Sequence, residues 1–396
     1  MLRPGTFGLT LLLAMLTALG PLSMDMYLPS LPDISHALAA PAARTQLTIS
    51  SYLIGFAVGQ IGYGPLSDRY GRRPVLLAAI TLYLTSTLAC TAAPSVDVLI
   101  AARLLQGVGG SGAIVLARAI VRDLYSGVRA ARELSLMGSI SAFAPIVAPM
   151  IGGVLQSAFG WRSSFVCMSV GAIVVMLVAV RLLPETLRRR PGGPTSLFAM
   201  VGGYGAVMRH RGFLIYLGII TISYAGLFAW VSGASVVLQS VYGLSATAFG
   251  FTFALGALGY MAGATIATRL VVRLGLDRTI GAGVIVLAAG GLALAAVVAA
   301  GIPGIWLVAA MALYLAGLGL AMPQAMAGAL TPFPDRAGTA ASLVGLVQQT
   351  VAAIVAAVIG GYLGRSAWPM TGVVLAMSCL TFLLWALSRR FRAHQR

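Results

Sequence analysis

The chain has 396 residues, of which 59% are hydrophobic and only 9% charged, whereas a soluble globular domain carries about 25% charge. That balance excludes a soluble enzyme, a disordered chain and a disulfide scaffold. The net charge of +17 does not mark a nucleic-acid binder, because the 26 basic residues are all arginines, set in short clusters between apolar runs rather than gathered on one face.

A membrane-spanning helix needs roughly 20 mostly apolar residues, and windows of that kind recur along the sequence. In the first half they cover residues 5–24, 45–67, 74–96, 98–117 (interrupted only by Arg103), 134–161 and 163–180. In the second half, 212–268 and 279–334 carry no charge and are each two spans long, with turns at Gln239–Ser245 and Gly301–Gly304. Windows 337–364 and 366–388 complete the set. The expected fold is all-α and integral to the membrane, with twelve helices in two pseudo-symmetric six-helix bundles. The expected domains are 1–183, a linker at 184–211, and 212–396. Residues 191–208 are also uncharged, but their Gly and Pro content suits the linker better than a thirteenth span. The first window is read as a retained helix rather than a signal peptide, for it lacks a small-residue cleavage site.

Cytoplasmic loops are enriched in arginine. With the N-terminus inside, 22 arginines fall on the cytoplasmic side, among them Arg188 to Arg190 and those from Arg389 onward; only Arg44, Arg162 and Arg365 fall outside, and Arg103 lies within a span. Both termini are therefore expected in the cytoplasm. Cys90, Cys167 and Cys379 fall inside spans and read as packing residues. The loop at 268–278 echoes that at 64–74 in its Gly and its arginines, as an internal repeat would.

Charges inside spans are expensive and mark function. Asp25 lies near the outer end of span one and Arg103 at a similar depth in span four, so the two can pair if the helices touch. A carboxylate whose surroundings change between conformations can take up and release a proton, and Gln106, one turn from Arg103, is a candidate hydrogen-bond partner. The alternative is an ion pair that only orients helices. In the loop at 64–74, Gly64 and Gly71 allow close approach and a tight turn, while Asp68 can accept charge-assisted bonds from Arg69, Arg72 or Arg73. It can also face a helix N-terminus of the other half. Pro149, Gly152 and Gly153 would bend span five and let a neighbour pack against it. Tyr52 with Phe56, and Tyr224 with Phe228, share helix faces at i, i+4 and are candidates for the wall of a greasy drug cavity.

The run from Gly64 to Pro74 resembles the signature of the major facilitator superfamily between spans two and three. Arg103-Leu104-Leu105-Gln106-Gly107 and the block from Ala144 to Gly153 resemble two motifs of its drug:proton antiporter branch, with alanine at 144 and 148 where that pattern prefers glycine. Met24 to Pro29 and the run at 332–340 narrow the resemblance to the Bcr/CflA group of bacterial multidrug exporters, the bicyclomycin- and chloramphenicol-type resistance proteins. The resemblance implies proton exchange at Asp25 and Arg103, a cytoplasmic lock in the 64–74 loop, and a seal against proton leak in span five. It implies export of small drugs across the bacterial inner membrane by a monomer driven by the proton gradient, without metal, cofactor or nucleic-acid partner.

An exporter of a metabolite, such as an amino acid derivative or sugar, is the alternative; it would need polar groups in the spans of both halves, and those at 212–268 and 279–334 carry no charge. Catalysis needs a paired nucleophile and base, or metal ligands. His36, His210 and His394 lie outside the spans and no HExxH or phosphate-binding loop occurs, so an enzyme is not expected.

Overall fold

The structure, a computed structural model, describes residues 6–187, 204–333, 336–362 and 366–389. Arg188 to Arg190, most of the linker, Pro334, Asp335, Arg365 and the last seven residues lie outside the described residues.

The described residues form apolar helices joined by short turns. Ten are long and apolar enough to span a membrane. The other two spans are Ala42–Tyr70, which carries more polar residues, and a helix in two pieces, Gly127–Ala142 and Ala144–Phe159. In chain order, span one is Phe7–Asp25, extended by a short turn and by Leu31–Ala37; span two is Ala42–Tyr70, span three Arg72–Thr91 and span four Val96–Leu124. Span five is the two-piece helix and span six Arg162–Leu182. Spans seven to twelve are Arg211–Val236, Ala246–Leu274, Leu276–Ala299, Gly304–Leu330, Ala337–Tyr362 and Trp368–Leu387.

Spans two, four and eight each have 29 residues, about 43 Å at 1.5 Å per residue. That exceeds a hydrocarbon core of about 30 Å, so Asp68, Arg118 and Arg122 are helical residues rather than loop residues. Large apolar side chains are exposed along one side of span six, at Val166, Val170, Ile173, Val174 and Leu177. Such a face is stable only against lipid.

The chain divides into two compact units, residues 1–199 and 200–396. In the first, span four packs on spans one, two and three; in the second, span ten packs on spans seven, eight and nine. Lipid supplies no hydrophobic drive between helices, so contact depends on small residues that let backbones meet. Gly55 and Gly59 of span two do this, since a Cβ at either would fall within 2.9 Å of the carbonyl oxygens of Leu104 and Val108 in span four. Gly259 and Gly263 of span eight do the same against Ala312 and Ala316 of span ten. The sequence segments are GFAVG and GYMAG, a repeat sharper than the loop echo.

Span five breaks at Phe143, just ahead of Pro145, while Pro149 lies inside the helix Ala144–Phe159; proline removes a hydrogen bond from the turn before it, and the interruption falls at the earlier proline. Two expectations are corrected here. A Cβ at Gly64 would meet nothing among the described residues, so Gly64 makes no close helix approach. Only Cys90 is buried, whereas Cys379 is exposed.

Candidate functional site

The polar centre of the first unit forms around Arg103. Span four is thin beside it: a Cβ at Gly107 would lie 2.1 Å from the Tyr52 carbonyl oxygen, and one at Gly109 would lie 2.5 Å from the Tyr83 nitrogen. Spans two and three therefore approach closely and bring their tyrosines inward. The Arg103 guanidinium is fully buried and lies over the rings of Tyr27 and Tyr52, 4.7 and 4.3 Å from their centroids. Its Nη1 donates to the Ser23 carbonyl at 3.0 Å and to Gln106 Oε1 at 2.6 Å. Gln106 Nε2 donates in turn to Thr87 Oγ1 at 2.9 Å. Tyr83 shares a 2.6 Å hydrogen bond with Ser23, Tyr52 donates to the Gly20 carbonyl at 3.0 Å, and the Tyr27 and Thr48 hydroxyls are bonded to each other.

No carboxylate pairs with Arg103 among the described residues. π faces and oriented dipoles hold the charge instead; a desolvated cation–π contact is worth about 2 kcal/mol and a hydrogen bond from a charged group about 1.5–3 kcal/mol. The pairing of Asp25 with Arg103 is therefore corrected. Spans one and four do touch, but the contact is at Ser23, Met24 and Tyr27. Ser23 and Tyr27 bracket Asp25 at the end of span one, and it is they, not the carboxylate, that meet the guanidinium.

Asp25 is the last residue of the span-one helix and is buried, 8% exposed. It makes no hydrogen bond or ion pair with any described residue. The backbone just beyond it is gripped from two sides. Gly152 of span five lies so close that a Cβ there would sit 2.1 Å from the Met26 carbonyl oxygen, and Ser164 of span six donates to that same oxygen at 3.3 Å. Pro149 and Gly153 are buried on the same helix. One turn beyond Gly152, Gln156 donates to Asp33 at 2.9 Å.

The 64–74 segment closes a second cluster at the other end of the first unit. Span two runs through Asp68 and Arg69 to Tyr70, and Gly71 turns the chain with φ of 103°. This conformation costs an L side chain dearly, and a Cβ there would also meet the Glu185 carboxylate at 2.6 Å. Arg72 bonds Asp68 at 2.5 Å, Ser67 at 2.6 Å and Asp123, at the end of span four, at 2.8 Å. Arg73 donates to the Val180 carbonyl at 2.6 Å. Arg69 forms no ion pair among the described residues; its guanidinium lies 5.2 Å from the ring centroid of Tyr70. Glu185 accepts the backbone N–H groups of Arg72, Arg73, Thr186 and Leu187 at 2.9–3.2 Å. Partial burial pushes its pKa up, but those four donors outweigh it and hold the carboxylate below its ordinary range. The arrangement ties spans two, three, four and six into one rigid corner.

The two aromatic pairs lie differently. Tyr52 and Phe56 are both buried, with ring centroids 6.0 Å apart. Tyr52 is committed to Arg103 and Gly20, and Phe56 packs against Gly20. The first pair is thus part of the core of the first unit and not a free cavity wall. The rings of Tyr224 and Phe228 meet at a tilt of 42° with centroids 4.7 Å apart, Phe228 buried and Tyr224 half-buried.

Sequence reasoning passed over Ser23, Tyr83, Thr87, Asp123 and Glu185. Ser23 with Tyr27, and Tyr83 with Thr87, are i, i+4 pairs of hydroxyl-bearing residues in otherwise aliphatic spans, and that spacing was a usable signal. Asp123 and Glu185 are two of only nine acids in the chain, each at a span end beside arginines.

Twelve spans in two like halves, with charge buried in the spans of one, define a multi-pass membrane transporter rather than an enzyme. The chain belongs to the Major Facilitator Superfamily, whose family model matches residues 13–354. It is 36% identical over 356 residues to an uncharacterised MFS-type transporter, YdgK, of Bacillus subtilis (strain 168), covering 89% of this chain and 88% of the relative. It is 30% identical over 397 residues to multidrug resistance protein D of Escherichia coli (strain K12), covering 100% of this chain and 99% of the relative. Among solved structures, a D-xylose–proton symporter superposes with a TM-score of 0.76 over 97% of each chain at 18% identity, a likeness of fold alone. Transporters of this superfamily move small molecules across the membrane.

Proposed function

We propose that this protein is a drug:proton antiporter that exports small, largely apolar toxic compounds of the chloramphenicol or bicyclomycin kind from the bacterial cytoplasm. It acts as a monomer in the inner membrane with both termini in the cytoplasm. Residues 184–211 link the halves on that side, and the proton gradient is the energy source without any cofactor. Its relation to a multidrug resistance protein over the whole chain supports this substrate class, as does the absence of charge from 212–268 and 279–334.

The observation that carries the reading is Asp25, an acid buried within a span and lacking a partner among the described residues. Such a group is costly in a membrane unless it is used. Alternating access would expose Asp25 to water on one side, where it loses its proton, and dry it on the other. Arg103, fixed between two tyrosines, is a constant positive charge near the carboxylate rather than its mobile counter-ion. The contact of Gly152 with the Met26 backbone puts span five against the segment that follows Asp25, so movement of span five alters the shelter of the carboxylate. The Arg72 cluster acts as the cytoplasmic lock. Drug and proton exchange because both use the same opening.

Inverted vesicles energised by respiration test this, with a pH-sensitive dye and a panel of chloramphenicol, florfenicol and bicyclomycin. Wild type should release protons on addition of a substrate, and Asp25→Asn should not. An equal response from both would remove Asp25 as the proton carrier, and silence from both would favour a metabolite substrate.

A further inference from the structure

A cleft of about 540 Å³ opens between the start of span nine and the end of span twelve, and we propose that it holds the headgroup of an anionic phospholipid. That volume is within the range of small-molecule pockets, about 300–1,000 Å³. Its walls include Asp277, Arg278, Gly281, Ile285, Trp385 and Arg389. Arg278 and Arg389 are exposed, and neither forms an ion pair or hydrogen bond with a described residue. The two guanidinium groups come from different helices and border one opening, and paired guanidinium forks match the oxygens of a phosphate.

Beneath the charged mouth the cleft turns apolar. The Trp385 indole lies against the backbone of Gly281, where a Cβ would fall 2.3 Å from its Cζ2. One turn deeper on span nine, the wall residue Ile285 is 52% exposed. Cations at the mouth, an indole beside them and a bare apolar side chain below form the profile of an amphiphile. A free phosphate would leave Ile285 unused. In the orientation proposed above this end meets the cytoplasmic leaflet, whose anionic lipids are drawn to basic pockets between spans; only that choice of leaflet rests on the proposed topology. Asp277 is the one carboxylate on the wall, and a zwitterionic headgroup would offer it an ammonium. The net charge of the three groups is positive, which favours the anionic lipid.

Native mass spectrometry of the full-length purified protein tests the proposal, titrating phosphatidylglycerol, phosphatidylethanolamine and inorganic phosphate in parallel. The wild type should bind phosphatidylglycerol at least about tenfold more tightly than phosphatidylethanolamine, about 1.4 kcal/mol. The double variant Arg278→Gln/Arg389→Gln should lose that preference, and Asp277→Asn should keep or increase it. The proposal fails if the double variant retains the preference, or if the control Arg269→Gln/Arg273→Gln, outside the cleft, loses as much. Loss of binding in Asp277→Asn would assign the cleft to a zwitterionic lipid, and competition by inorganic phosphate would assign it to a soluble anion; either overturns the proposal. The same wild type and variants in the proton-release assay separate this site from the transport reading, which stands or falls on Asp25.

Discussion

The two halves solve one structural problem with different chemistry. In each, the fourth helix sends a donor to the carbonyl of a serine on the first: Arg103 of span four to Ser23 of span one, and Tyr314 of span ten to Ser223 of span seven, at 3.0 and 2.6 Å. In each, a glycine pair on the second helix lets the fourth approach to backbone contact. The first half then buries a full positive charge at the crossing, surrounds it with Tyr27, Tyr52 and Gln106, and leaves Asp25 without a hydrogen bond or ion pair among the described residues. The second half buries a neutral phenol. The scaffold is common to both, and among the described residues Asp25 and Arg103, an acid and an arginine buried within spans, belong to the first. The difference teaches that packing geometry was duplicated while the charge was not.

The sharpest way to break this comparison is to exchange like for like at the two donors. Arg103→Lys keeps the charge but loses the planar fork and the stack on two rings. It should cost about 2–3 kcal/mol, the scale of one charge-assisted hydrogen bond with part of a cation–π contact, and should abolish drug-driven proton release. Tyr314→Phe should cost about 0.5–1.5 kcal/mol and leave proton release intact. Thermal unfolding of the purified protein beside the vesicle assay checks both; equal loss of transport would mean that the second half has a coupling role too.

Glycines sharpen it next. Gly152→Ala drives a methyl into the Met26 carbonyl and should destabilise by about 1–3 kcal/mol, as overpacking does, while slowing transport. Gly256→Ala in span eight meets only the Leu315 side chain, at 3.8 Å, and should stabilise by up to about 1 kcal/mol through helix propensity. A smaller contrast separates the corresponding loops. Arg72→Gln loses two partly exposed ion pairs, about 1–2 kcal/mol after allowance for solvent screening, whereas Arg273→Gln, in the last turn of span eight, is exposed and should fall within about 0.5 kcal/mol of wild type.

The smallest effect is a pH dependence at Glu185. Its folded pKa is below the unfolded value, so its contribution is present above about pH 4.3, the ordinary glutamate value. It is lost as the pH falls through the folded pKa. Unfolding temperatures of wild type and Glu185→Gln should differ near neutrality and converge in acid; a constant difference would show that the carboxylate's charge contributes nothing.

Much of this was legible in the sequence because a bilayer imposes length and hydropathy on every span, and arginines mark the ends. The twelve spans and the singular status of Asp25 and Arg103 as charges within spans follow from one-dimensional patterns. The partners of Arg103 did not follow. Asp25 and Ser23 are two residues apart, and whether the guanidinium meets a carboxylate or a carbonyl depends on the rotation of span one about its own axis, which hydropathy leaves free. The site of the break in span five likewise needed the structure, because Pro145 and Pro149 both permit an interruption and the helix bounds place it at the first. Composition and spacing by themselves determined what must cross the membrane and which charges had to be accounted for. Rotation and close approach, set where Gly55, Gly107 and Gly152 let backbones meet, decided which groups touch, because side-chain contacts at helix crossings depend on tertiary packing that no single stretch of sequence encodes.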